Sequence, residues 1–241
     1  MSEDENKIQE AVMAEMAQAG LHLGRQKAKG HPKMKSYVYA VQNGFQIIDL
    51  AKTAECLEAA LKFLADSARD GGAVLFVGTA PSARTIIEEA AKTVGMPYVS
   101  RRWIGGTLTN FKVVSGRLNH YKDLIKKREA GELQKYTKKE QLEFDKEIAK
   151  LEEKFGGIVN LDKVPAAVFV VNTKMDEIAV REARRTNVPV VALVNTDTDP
   201  TPVDWPIPAN NNAVSAVKYV MDKIVETIKK AKISENQLLA F

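Results

Sequence analysis

Five cations crowd one short stretch of this 241-residue chain: Arg25, Lys27, Lys29, Lys33 and Lys35, interleaved with Gly24, Gly30 and Pro32. No acidic residue lies between Met16 and Ile48. Lysine and arginine at this density neutralise phosphates, and a glycine-rich backbone can follow an irregular phosphate track. A second group follows at Arg101, Arg102 and Trp103. Each guanidinium can grip a phosphate with two parallel hydrogen bonds, and an indole can stack on an unpaired base. Trp103 has two places open to it, that stacking role or a core anchor with the arginines beside it in solvent. Asn110 is a candidate for base or sugar contacts, and Lys112 and Arg117 carry positive charge onward. From Arg101 to Phe155 there are fourteen cations against nine acids, for which a solvated helical face is the bland alternative. The whole chain carries only +4, so the remainder is acidic, and this uneven split is the footprint of a polyanion ligand.

Chemistry of other kinds is poorly provided for. The turn Gly78-Thr79-Ala80-Pro81-Ser82-Ala83-Arg84 lacks both the lysine-hydroxyl ending of a P-loop and the spacing of a dinucleotide fingerprint. A strand-to-helix turn with these residue types is ordinary geometry in an α/β fold. Carboxylates gather at Asp197, Asp199 and Asp204, where they can bind magnesium, act as a base or close tight turns. No histidine or nucleophile is paired with them, because His22, His31 and His120 all fall in basic stretches. The reading therefore expects no catalytic residue, metal or cofactor. Two alternatives stand beside RNA binding. One is an enzyme using the crevice near Gly78, Thr79, Asp197 and Asp199, the default ligand site of such sheets. The other is a protein-only scaffold.

The elements that must hold these groups follow from apolar spacing. Residues 7–19 read as a short helix with Ile8, Val12 and Met16 in line, ended by Gly20. Residues 36–41 and 45–48 read as two strands joined by a turn at Asn43-Gly44. From there, continuous apolar runs at 73–77, 166–171 and 189–194, with a brief strand at Tyr98-Val99, alternate with amphipathic helices. Strands without polar alternation belong to a parallel sheet covered on both faces, so the class is α/β, doubly wound. Residues 109–155 break the alternation. Phe111, Val114, Leu118, Tyr121 and Ile125, then Phe144, Ile148, Leu151 and Phe155, keep an average period of 3.5. That spacing predicts an inserted antiparallel coiled-coil helical hairpin. The organisation is then an N-terminal helix and basic loop (1–35), a discontinuous α/β domain (36–108 and 156–231), the hairpin (109–155) and a tail (232–241).

Composition agrees with one folded unit: 45% hydrophobic, 27% charged, and a single cysteine, Cys56, that has no partner in the chain. A disulfide scaffold and wholesale disorder are excluded. The acidic start at Glu3, Asp4 and Glu5 and the lone cysteine point to a cytoplasmic setting.

The ordered segments A-G-L-H-L-G-R-Q (19–26), H-P-K-M (31–34), N-G-F-Q-I-I-D-L (43–50), L-F-V-G-T (75–79) and R-R-W-I-G-G-T-L-T-N-F (101–111) resemble the bacterial small-subunit ribosomal protein S-two family. So do V-P-A-A-V-F-V-V-N (164–172), A-V-R-E-A (179–183), N-T-D-T-D-P (195–200) and W-P-I-P-A-N-N-N-A (205–213). The resemblance spans residues 8 to 230. It implies a flavodoxin-like sheet with a protruding coiled coil and a non-catalytic, ribosome-associated role on small-subunit ribosomal RNA. Neighbouring small-subunit proteins, and docking of the S-one ribosomal protein, come with it. Arg25 stands where the family usually has His, and residues 80–83 read A-P-S-A where it commonly has Lys or Arg and Gln.

Overall fold

The computed structural model describes residues 3–69 and 71–238. Helix α1 (Glu3–Gln18) stops at Gly20, whose φ of 78° is left-handed. Val12 and Met16 pack inward as their spacing predicts, while the side chain of Ile8 lies outside the described residues. Strands β1 (Leu23–Gln26), β2 (Val38–Gln42) and β3 (Phe45–Ile48) form an antiparallel sheet in the order β1-β3-β2. Asn43 and Gly44 turn β2 into β3 with φ of 50° and 80°, the pair of positive values that an Asn-Gly hairpin turn requires. β1 is absent from the sequence reading, which takes that stretch as irregular loop. Only four residues long and containing a glycine, it has no alternation to detect. Two short 3-10 turns, Lys27–Lys29 and Pro32–Tyr37, carry the cations between β1 and β2.

The second sheet is parallel throughout. Its strands are β4 (Val74–Val77), β5 (Tyr98–Val99), β6 (Ala167–Val170), β7 (Val190–Val194) and β8 (Trp205–Pro208), in the order β5-β4-β6-β7-β8. By chain order within the sheet this is 2-1-3-4-5, the flavodoxin-like arrangement. Side chains of β4 divide alternately: Val74 and Phe76 enter one apolar cluster, Leu75 and Val77 the other. Helices α2 (Leu50–Arg69), α3 (Arg84–Val94) and α7 (Val214–Leu238) supply the first cluster. α6 (Glu177–Arg185) and the roots of α4 (Phe111–Glu129) and α5 (Lys138–Phe155) supply the second. Burial on both faces is why the strands read as unbroken apolar runs.

β8 escapes sequence reading because Pro206 and Pro208 interrupt its strand signal. It is the outer strand of the sheet, where a missing backbone donor leaves no ladder bond unmade. α4 and α5 fold back along each other through Gly131, and Thr137 and Glu140 close the start of α5 with a reciprocal capping box. The buried residues of α4 are Val114, Leu118, Tyr121 and Leu124, so Leu124 takes the place expected of Ile125, which is half-buried. α7 continues through the segment set apart as a tail, and residues 239–241 of that tail lie outside the described residues. Among the described residues no helix is long and apolar enough to cross a membrane.

Candidate nucleic-acid interface

Thr196, fully buried just beyond β7, is the anchor of the basic loop. Its hydroxyl accepts the Arg25 amide at 2.8 Å, and its carbonyl accepts the His31 amide at 2.7 Å. The Lys27 amide reaches the carbonyl of Gly44 at 2.9 Å. Contact at Gly24 is so close that a Cβ there would stand 2.6 Å from the Gln46 carbonyl and 2.8 Å from the Thr196 methyl. The loop thus lies over the carboxyl end of the parallel sheet, the crevice where folds of this class hold small ligands.

The acidic turn beneath it is taken up by neighbouring cations. Asp197 lies 3.2 Å from Lys174 Nζ and 3.9 Å from Arg25 Nε. Asp199 accepts the Thr201 hydroxyl and amide at 2.6 Å and 2.9 Å, and Lys33 Nζ at 3.1 Å. The Thr201 bonds, then Lys33, hold its carboxyl well below the usual carboxylate range. Arg25 and Lys33 are therefore partly neutralised from within. Lys27, Lys29 and Lys35 are exposed, and among the described residues no carboxylate lies within ion-pair distance of them. Thr79 is also committed: its hydroxyl and amide donate to Asp176 at 2.7 Å and 3.3 Å. Burial pushes the Asp176 carboxyl up, and those two bonds offset part of the rise.

The second cationic group hangs from β5, at the same carboxyl edge of the sheet. Arg101 and Arg102 are exposed, and Arg101 Nη1 lies 3.6 Å from Glu153. Trp103 is only 7% exposed, and its indole N–H donates to Glu182 at 3.1 Å. It is a core anchor, not an open face for a base, because its ring packs in the cluster beneath the sheet. Glu182 also accepts the amides of Gly106 at 2.7 Å, Leu108 at 3.0 Å and Thr109 at 3.3 Å, and the Thr109 hydroxyl at 3.2 Å. This single carboxylate shapes the segment between the arginines and α4. Gly106, at φ 90°, turns that segment as only glycine does without strain.

Asn110 and Arg117 share a cleft of about 450 Å³ with Lys150 and Lys154. Arg101 and Arg102 line a neighbouring one of about 580 Å³, which Lys154 also borders. Lys112 is exposed on the first turn of α4. The predicted residues are thus gathered in two groups, one over β7 and one beyond β5. Sequence reasoning missed Glu182 and Lys174. Glu182 left a trace, since it sits between Ala179 and Ala183 on the buried stripe of α6, where a charge needs partners. Lys174 left none, being an isolated cation after β6.

Comparison with known proteins places the chain among ribosomal proteins. The family model described as ribosomal protein S2 matches residues 16–231. The chain is also 44% identical over 221 residues to a protein of Coprothermobacter proteolyticus named small ribosomal subunit protein uS2. That match covers 92% of this chain and 82% of its relative.

Proposed function

The chain belongs to the ribosomal protein S2 family, and from that premise we propose that it binds small-subunit ribosomal RNA through the two cationic groups at the carboxyl edge of its sheet. Family membership makes it a non-enzymatic structural component of the small ribosomal subunit. The observation that carries the RNA reading is the basic loop. Its backbone is fixed to Thr196 and Gly44, while Lys27, Lys29 and Lys35 are left exposed. Rigid backbone with unpaired ammonium groups suits a polyphosphate of fixed shape, since little order is lost on binding. Arg101, Arg102, Lys112 and Arg117 extend the footprint, with Asn110 toward base or sugar. Trp103 serves it indirectly, by tying the arginine segment to Glu182. A coiled coil in the α4–α5 hairpin, contacts with neighbouring small-subunit proteins and docking of the S-one protein complete the reading. The first is supported by the seam at Val114, Leu118, Tyr121, Ile148 and Leu151, and the last two by the family.

Lys29→Ala should lower the slope of log affinity against log salt for small-subunit ribosomal RNA by about 1 unit. Filter binding across a salt series measures it, and an unchanged slope removes Lys29 from the footprint. Sedimentation of a tagged full-length chain tests the whole reading. Comigration with small subunits through moderate salt is expected, and a tag remaining at the top of the gradient refutes it.

A further inference from the structure

Between the basic loop and the start of α7 lies a cleft of about 490 Å³ that the clamp on Thr196 does not account for, with Asp197 of the acidic turn in its lining. We infer that it receives a single unpaired nucleotide of the bound RNA, with the base against Phe45 and amides at its edge; this deepens the RNA reading above and rests on it. The volume lies in the range of clefts that hold small ligands, roughly 300–1,000 Å³. Phe45 lines the cleft from the hairpin, 47% exposed although large and aromatic. Flat apolar rings left half in water beside cations are the usual platform for a base.

The polar wall fits a base edge better than a carboxylate. Asn211 and Asn212 come from the N-N-N run, a motif the phosphate footprint does not use. Asn211 Oδ1 accepts from Asn195 at 3.2 Å and from Asn212 at 2.9 Å. Among the described residues, Asn211 Nδ2 and Asn212 Oδ1 have no hydrogen-bond partner, so the lining carries a spare donor and a spare acceptor. Such a pair matches the mixed donor and acceptor edge of a nucleobase. Arg25 Nε is also buried without a hydrogen bond. Lys29 also lines the cleft, with no carboxylate within ion-pair distance among the described residues, and is placed for a flanking phosphate, while Lys174 neutralises the Asp197 carboxylate beside it. An acidic peptide would satisfy the cations but leave the ring and the two amide groups unused.

Phe45→Leu keeps an apolar side chain and removes the flat face, whereas Phe45→Trp keeps both. With full-length chain and full-length small-subunit ribosomal RNA, Phe45→Leu should weaken binding about five- to tenfold at every salt concentration. Its salt slope should be unchanged, and Phe45→Trp should bind within about twofold of the parent. Asn212→Ala should weaken binding in the same slope-preserving way. RNA carrying 4-thiouridine should crosslink to the peptide containing residue 45. Melting curves of each variant establish that the fold is intact, because Phe45 is half exposed. If Phe45→Leu and Phe45→Trp both bind as the parent while Lys29→Ala still lowers the slope, the nucleotide assignment falls and the phosphate footprint stands. If Lys29→Ala also changes nothing, the footprint itself falls. Should millimolar AMP or UMP raise the melting temperature of the parent but not of Phe45→Leu, with RNA binding equal in both, the occupant is a free nucleotide and the assignment to an RNA strand is overturned.

Discussion

Glu182→Gln should cost about 3 kcal/mol of stability and lower the melting temperature by roughly 6–12 °C. The carboxylate is 8% exposed and accepts from five donors: the Trp103 indole, the Thr109 hydroxyl and the amides of Gly106, Leu108 and Thr109. An amide has the same shape but only one accepting oxygen. Its NH2 would face either the Trp103 and Gly106 donors or the Leu108 and Thr109 donors, so no rotamer satisfies both sets. Because the freed donors lie in the segment that follows Arg102, RNA affinity should fall too, and at low salt as well as high. Scanning calorimetry of the two proteins is the direct measurement, and coincident melts would refute the keystone role.

The same residue sets a pH signature. Burial pushes the Glu182 carboxyl up, but the converging hydrogen bonds outweigh burial and leave it below its ordinary value. A carboxyl depressed in the folded state contributes stability above its unfolded pKa, about 4.3 for Glu. That contribution is lost as pH falls through the lower folded value. The gap between parent and Glu182→Gln should therefore be full at neutral pH and close below about pH 4. Comparing the two proteins cancels the opposite contribution of Asp176, whose carboxyl burial raises.

Gly24→Ala should weaken RNA binding more than tenfold at physiological salt, a loss of at least about 1.4 kcal/mol. The added methyl would stand 2.6 Å from the Gln46 carbonyl oxygen and 2.8 Å from Thr196 Cγ2, so β1 must move off β3 or the loop must leave Thr196. Either movement breaks the 2.8 Å bond from the Arg25 amide. Overpacking of this kind costs about 1–3 kcal/mol of stability as well. Trimming the neighbour in Gly24→Ala/Thr196→Ser should not restore binding, because the backbone carbonyl of Gln46 stays in the way. Full RNA affinity in Gly24→Ala would show that the loop does not need its seat on the sheet.

How much of this was readable beforehand depends on which force left a trace in composition. β4, β6 and β7 were visible because burial on both faces demands unbroken apolar runs. The β2–β3 hairpin was visible because Asn43-Gly44 is nearly a turn by itself. β1 and β8 were not, since one is four residues long with a glycine inside it and the other carries two prolines. The cations of the footprint were found by density alone. What density cannot reveal is which of them are already paired, and only the fold brings Asp199 to Lys33 and Asp197 to Arg25. Trp103 shows the same limit: identical neighbours in sequence suit a buried or an exposed ring, and Glu182, 79 residues away, decides between them.

The prolines of β8 have a consequence for the chain before it finds its place in a particle. An outer strand with free donors is a template on which a second molecule can polymerise, sheet edge to sheet edge. Pro206 and Pro208 deny that template on one flank, and β5 at the opposite flank is only two residues long. Neither edge of the parallel sheet therefore invites growth between surplus copies awaiting assembly, and replacing both prolines with valine should open the β8 edge to it.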